Sequence, residues 1–124
     1  MKRKLLVVED DFDARGELYD FFTSWSFDVL AVTEGRSALR EIKKTKFDLI
    51  ILDLKLPNIT GIDLLKRIRK TKRNQWVPVF VISGLNPNFY AEEVITNFAT
   101  AFFEKPINLK DLETALVQEF SLRF

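Results

Sequence analysis

Three stretches of this chain are apolar without a break: Leu5-Leu6-Val7-Val8, Leu49-Ile50-Ile51-Leu52 and Val79-Phe80-Val81-Ile82. A strand with one wet face alternates apolar and polar residues, because successive side chains point to opposite faces. These runs do not alternate, so both faces of each strand must be covered, as in the interior of a parallel sheet. Val29 to Val32 and Ala101-Phe102-Phe103 are weaker candidates for two more strands. The intervening segments carry helical spacing. Leu18, Phe21, Phe22 and Trp25 fall at i, i+3, i+4, i+7, as do Ala91, Val94, Ile95 and Phe98, and Leu39/Ile42, Leu64-Leu65/Ile68 and Leu112/Leu116 mark three further helices. Five strand-helix units joined by right-handed crossovers predict an α/β fold, an open doubly wound parallel sheet with helices on both faces. With 124 residues and no linker-like or repeated segment, one domain over 1–124 is expected.

In such sheets the ligand crevice lies outside the carboxyl ends of the strands, where the strand order reverses. The residues at those ends are polar in every case. The first strand runs into Glu9-Asp10-Asp11, the third ends on Asp53, the fourth on Ser83, and the fifth runs into Glu104-Lys105-Pro106. A nucleotide fold would place a glycine-rich phosphate loop after its first strand; three carboxylates stand there instead. They would repel a phosphate unless a divalent cation came with it, and an oxygen-rich cluster of this kind suits Mg²⁺. The chain has neither Cys nor His, which excludes thiolate metal sites, disulfides and every imidazole-based mechanism. Its formal charge of +1, from 19 basic and 18 acidic residues, argues against a protein built to grip nucleic acid. No apolar run approaches the length of a membrane span or a signal-peptide core, so a cytoplasmic location is expected.

The strand-end residues resemble the receiver domain of two-component response regulators, of the CheY type, over essentially the whole chain. Leu6-Val7-Val8-Glu9-Asp10-Asp11 is similar to the first-strand motif with its acidic pair, and Arg15 falls where the first helix often carries a basic residue. Asp48 to Pro57 is similar to the phosphoacceptor segment, followed by a helix at Gly61-Ile62-Asp63-Leu64-Leu65; Val77 to Gly84 and Ala101 to Pro106 are similar to the fourth and fifth strands with their hydroxyl and Lys-Pro endings. The resemblance implies a flavodoxin-like sheet in the order 2-1-3-4-5. It implies that Asp53 accepts a phosphoryl group, with Lys105 and Ser83 serving its oxygens. It implies Mg²⁺, for which Mn²⁺ could substitute, held by Asp10, Asp53 and the Lys55 carbonyl, with Glu9 acting through water or from behind the direct ligands. Ser83 and Phe102 would form the switch, Phe102 standing where many receivers have Tyr, and Lys55 and Leu85 would tune phosphate lifetime. The implied partners are a sensor histidine kinase or histidine phosphotransfer domain and a downstream protein docking near the fourth helix, fifth strand and fifth helix, with neither nucleic acid nor membrane bound directly. The chain would be a stand-alone phosphoacceptor switch rather than a turnover enzyme.

Plainer readings exist for each residue alone. Asp11 is a good helix N-cap, Ser83-Gly84 is an ordinary turn signal, and a charge just past a strand is often only where the chain meets water. Their joint occurrence in order is what a structural reading leaves unexplained. Phe98 stands near where the family usually has Gly, and Pro106 leaves the cis and trans isomers open. The twelve Phe residues, Phe102 apart, read as packing, and the basic cluster Lys66, Arg67, Arg69, Lys70, Lys72 and Arg73 reads as a solvated helix face and loop. Other classes share parts of this pattern. An aspartyl-phosphate hydrolase would want a second acid where Lys55 stands; a pseudo-receiver would act as a constitutive interaction module, and a part of a larger regulator in trans would dock on a separate output protein.

Overall fold

The three unbroken apolar runs form the three central strands of one parallel sheet, β1 (Lys4–Val8), β3 (Leu49–Asp53) and β4 (Val79–Ser83). In this computed structural model, which describes residues 2–84 and 89–121, every residue from Leu5 to Val8 and all five residues of β3 and of β4 are buried. The weaker candidates are the edge strands, β2 (Asp28–Val32) and β5 (Ala101–Glu104), only partly covered because each has a neighbour on one side alone. Sheet order is β2-β1-β3-β4-β5, all parallel. The chain leaves β1 toward one edge and returns to β3 on the other side, so the order reverses between β1 and β3.

Helices cover both faces. On one side α2 (Gly35–Lys44), α3 (Gly61–Ile68) and α4 (Phe89–Phe98) pack Ile42, Leu65, Ile68 and Val94 onto Leu6, Val8, Ile50, Leu52 and Val81. On the other, α1 (Phe12–Ser24) and α5 (Leu109–Phe120) pack Leu18, Phe22, Leu112 and Leu116 onto Leu5, Val7, Ile51, Phe80 and Ile82. The odd and even positions of each central strand thus feed two separate cores, the reason its sequence cannot alternate. The helices begin where their caps stand: Asp11 Oδ2 accepts from Ala14 N at 2.8 Å, Thr60 Oγ1 from Asp63 N at 3.1 Å and Asn108 Oδ1 from Lys110 N at 2.9 Å.

Two polar side chains brace the connections at the amino ends of the strands. Buried Asn74 donates to the Ile42 and Thr45 carbonyls at 2.7 and 2.8 Å and accepts from Phe47 N at 2.9 Å, tying the α3–β4 loop to the α2–β3 connection. Arg69 caps α3 and corrects the reading of a uniformly solvated basic face. Its guanidinium donates to the carbonyls of Gln75, Val77 and Phe98, and Nε and Nη2 reach Phe98 O at 2.9 and 2.8 Å. A cation on the last residue of α4 also meets the negative end of that helix. Phe98, expected to disturb the turn before the fifth strand, is accommodated by this clamp and by the Ala99 N–H on Ile95 O at 2.8 Å.

At Gly61 the first turn of α3 passes against the end of β3. Its N–H donates to Leu54 O at 2.9 Å, and a Cβ there would stand 2.4 Å from Leu54 Cα and 2.5 Å from Asp53 O. Gly16, exposed within α1, has open space around it. Helix propensity alone favours Ala by ~1 kcal/mol at either site. Gly16→Ala is therefore expected to stabilise the fold by roughly 0.5–1 kcal/mol and Gly61→Ala to destabilise it by roughly 1–3 kcal/mol, the backbone clash outweighing propensity, as urea unfolding of the two variants will show.

Candidate functional site

Register decides which strand-end residues meet. Val8 pairs with Leu52, so the next residue of each strand, Glu9 and Asp53, stands at the same level across the point where the order reverses. Asp53 pairs with Ile82, and Ser83, one step on, pairs with Glu104, which brings Lys105 alongside. Lys105 N–H donates to Ser83 O at 2.9 Å, and the Lys105–Pro106 peptide bond is cis. A cleft at this end of the sheet is lined by Asp10, Asp11, Asp53, Lys55, Ser83 and Lys105, with Phe12 at its mouth.

The centre of the site is an ion triad. Lys105 Nζ lies 2.6 Å from Glu9 Oε1 and 2.8 Å from Asp53 Oδ2. Both carboxylates are withdrawn from water, Glu9 being 1% and Asp53 5% exposed. Their remaining oxygens are occupied: Glu9 Oε2 accepts from Asp11 N at 3.2 Å and Asp53 Oδ1 from Lys55 N at 3.1 Å. Arg15 holds the turn after β1 by donating to the Glu9 and Asp10 carbonyls at 3.1 and 3.2 Å. Asp10 is exposed and points its carboxylate to the same place, the ligand atoms of Glu9, Asp10 and Asp53 lying within 4.8 Å of one another.

Three carboxylates facing one ammonium leave a formal excess of two negative charges, the charge of one divalent cation. Oxygen donors alone, two of them shielded from solvent, are the donor set of Mg²⁺ rather than of a softer metal. The residues present therefore fit the ion.

The structure brings most of the residues singled out in the sequence together. Glu9, Asp10, Asp53, Lys55, Ser83 and Lys105 gather at the cleft; Phe102 lies apart from it, half-buried against the core under α2, α3 and α4. Leu85 lies outside the described residues. Phe12 was missed among the Phe residues read as packing. It is 77% exposed, with the Arg15 guanidinium 5.6 Å from its ring centre. Its place just after the Asp11 cap, off the Leu18/Phe22 stripe, was the available signal.

Burial raises the Glu9 carboxyl, and Asp53 raises it further by hydrogen bond and charge; Lys105 and the Asp11 N–H pull it back, and the balance lies at about 7 against an ordinary 4.5. For Lys105 burial works downward, but the hydrogen bonds and charges of Asp53 and Glu9 outweigh it and hold the ammonium above the ordinary lysine value. In the metal-free protein Glu9 keeps its proton over a range in which the unfolded chain has lost it. This contribution to stability is full below the unfolded value and is lost as pH rises through the folded one. Relative to Glu9→Gln, wild type is expected to lose about 2 kcal/mol between about pH 5 and about pH 8 in chelator, measured by urea unfolding.

A profile of the response regulator receiver domain matches residues 5–117. The chain is 26% identical over 123 residues to sporulation initiation phosphotransferase F of Bacillus subtilis, covering 99% of this chain and 98% of that one. It is 25% identical over 124 residues to the transcriptional regulatory protein CrdR of Helicobacter pylori, covering 98% of this chain and 56% of CrdR. The chain spans 14 to 56% of the length of the first curated relatives it matches. Among solved structures, the receiver domain of the sensor histidine kinase PA1611 from Pseudomonas aeruginosa, with magnesium coordinated in its active-site cleft, superposes with a TM-score of 0.87 at 20% identity, over 98% of this chain and all of that one. With this match over most of its length, this sheet order and this cluster at the reversal point, the chain belongs to the response regulator receiver domain family.

Proposed function

We propose that this receiver takes a phosphoryl group from a phosphohistidine of a partner kinase or phosphotransfer domain onto Asp53, and that the acyl phosphate switches a protein-binding face. The observation that carries the reading is the triad. Lys105 holds the Asp53 carboxylate by one oxygen, Oδ2, while the other, Oδ1, accepts the Lys55 N–H beside an open cleft.

An oxygen of Asp53 forms the new O–P bond as the N–P bond of the donor breaks, and the imidazole leaves neutral on taking up a proton. This chain contains no His, so the donor imidazole comes from the partner. Asp10, Asp53 and the Lys55 carbonyl, with Glu9 behind them, would hold Mg²⁺, which would supply neutralisation of the phosphoryl charge. Lys105 shifts from the carboxylates to a phosphoryl oxygen, and the Ser83 hydroxyl serves another. The chain's own groups thus position and neutralise rather than react, as phosphoryl transfer requires. Two residues past Asp53, where an aspartyl-phosphate hydrolase would want its general acid, stands Lys55, which disfavours that reading.

Intact-mass measurement with acetyl phosphate and Mg²⁺ tests this directly. One adduct removed by hydroxylamine is expected on wild type and none on Asp53→Asn, while Asp10→Asn weakens Mg²⁺ binding about tenfold or more by calorimetry. An adduct on Asp53→Asn at the wild-type rate would sink the assignment.

The switch joins Ser83 to Phe102. Phe102 packs against the core layer that includes Val94 of α4, on the same side of the sheet, so a Ser83 drawn toward phosphate opens room for the ring to turn inward and remodels the face of α4, β5 and α5. Beryllofluoride, standing in for the phosphoryl group on Asp53, is expected to shift amides around Phe102 and in α5 of wild type by NMR. In Ser83→Ala the shifts should stay at the strand ends.

A further inference from the structure

At the opposite end of the sheet, where the strands begin, the α3–β4 loop displays Trp76 with 86% of its surface in water. A lone exposed aromatic is ordinary on a protein surface. Trp76 differs in three respects. First, its loop is braced on both sides, by Arg69 donating to the carbonyls of Gln75 and Val77 and by Asn74 fixed to Ile42, Thr45 and Phe47, so the indole stands on a rigid mount. Second, it borders a groove whose far wall is the end of α4, at Asn97, Phe98 and Ala99. Third, the Asn74 bonds bring the α2–β3 connection against this loop, so exposed Lys43 and Lys46 join exposed Lys70, Lys72 and Arg73 around it. Among the described residues none of these five cations has a carboxylate within 4.0 Å, whereas Lys44 and Arg67 are already paired with Glu41 and Asp63.

From this juxtaposition we infer that the Trp76 groove and the exposed cations of its loop form a docking site for an acidic segment of a partner protein, an apolar side chain entering between Trp76 and Phe98 while flanking carboxylates meet Lys70, Lys72 and Arg73. Tryptophan and arginine on a preorganised surface are the residues that anchor protein interfaces, because little freedom is lost on binding. Single-stranded nucleic acid is the other polyanion to consider. It is held by several aromatic platforms along a basic track, and Trp76 is the one exposed large apolar side chain at this end among the described residues. A groove with an apolar wall beside a single ring suits a side chain better than a run of bases. The site lies roughly 15 Å from the cleft, a strand's length away, so occupancy does not obstruct access to Asp53.

The probe is a blocked octapeptide of glutamates around a central leucine-phenylalanine pair, titrated at low salt into the ¹⁵N-labelled protein, with its glutamine counterpart as control. Shifts at the amides of residues 72–77 and 98–99 are expected. Trp76→Ala and the pair Lys72→Glu/Arg73→Glu should each weaken binding about tenfold or more, and the glutamine peptide should bind at least about fivefold more weakly. Asp53→Asn should bind as wild type, which separates this site from the phosphoacceptor reading. Since Trp76 and both cations are exposed, the variants keep the fold, checked by unchanged amide dispersion elsewhere. Equal binding of the glutamine peptide, tighter binding of a thymidine decanucleotide or of phosphatidylserine vesicles, concentration-dependent shifts without peptide that mark a second copy of this chain, or no shift at these amides up to about 1 mM peptide would each overturn the proposal.

Discussion

The ammonium of Lys105, held at 2.6 and 2.8 Å between two buried carboxylates, is the contact on which the functional end of this molecule depends. Glu9 and Asp53 could not stand side by side out of water without it, since each charge would raise the cost of the other. The triad joins residues far apart in the chain, so it exists only when β1, β3 and β5 are in register. Its stabilising value is small if the whole triad is compared with apolar residues of the same volume, because desolvation of three charges offsets their attraction. Removing one member is a different matter, leaving a buried charge with no counter-ion. The arrangement is better understood as held for its chemistry, at a cost that the two hydrophobic layers can bear.

Those layers carry the site by rigidity. The central strands are packed on both faces, and each offers its first polar residue just where the covering helices end. The turn after β3 is pressed against α3 at Gly61, leaving no room for a side chain between the helix and the Asp53-Leu54 turn. On the β1 side, Arg15 fixes the Glu9-Asp10 carbonyls and Asp11 caps α1, so the acidic run is committed residue by residue: Glu9 inward, Asp10 to the cleft, Asp11 to the helix. One run of three acids performs three tasks because strand, turn and helix cap follow one another within it.

What the sequence displayed was whatever depends on local pattern. β1, β3 and β4 stood out because burial on both faces removes polar residues altogether, and the acids at their ends followed from the rule placing crevices at a reversal of strand order. The edge strands were fainter, since one-sided pairing relaxes that demand. Contacts made by tertiary packing were not legible. Arg69 looked like one cation among six, yet three carbonyls from two separate connections surround it. Asn74 carries no signal in spacing, yet it is buried with three backbone partners. The direct pairing of Glu9 with Lys105 had no signal in spacing, because it is set by the register of strands ninety-odd positions apart in the chain.

A near-neutral total can conceal a polar molecule. The formal charge of +1 suggests a surface without electrostatic preference, and by that sum the basic residues around positions 66–73 look unremarkable. The fold sorts the charges instead. Parallel strands all end on one side, so Glu9, Asp10, Asp11 and Asp53 collect there about Lys55 and Lys105, while Lys43, Lys46, Lys70, Lys72 and Arg73 outnumber Asp28 and Asp48 where the strands begin. Antiparallel strands would have mixed the two. In a parallel α/β domain, charge read along the chain should therefore be assigned separately to carboxyl-end and amino-end loops before any partner is inferred. Within about a Debye length of ~8 Å an approaching molecule meets one pole or the other, and never the sum.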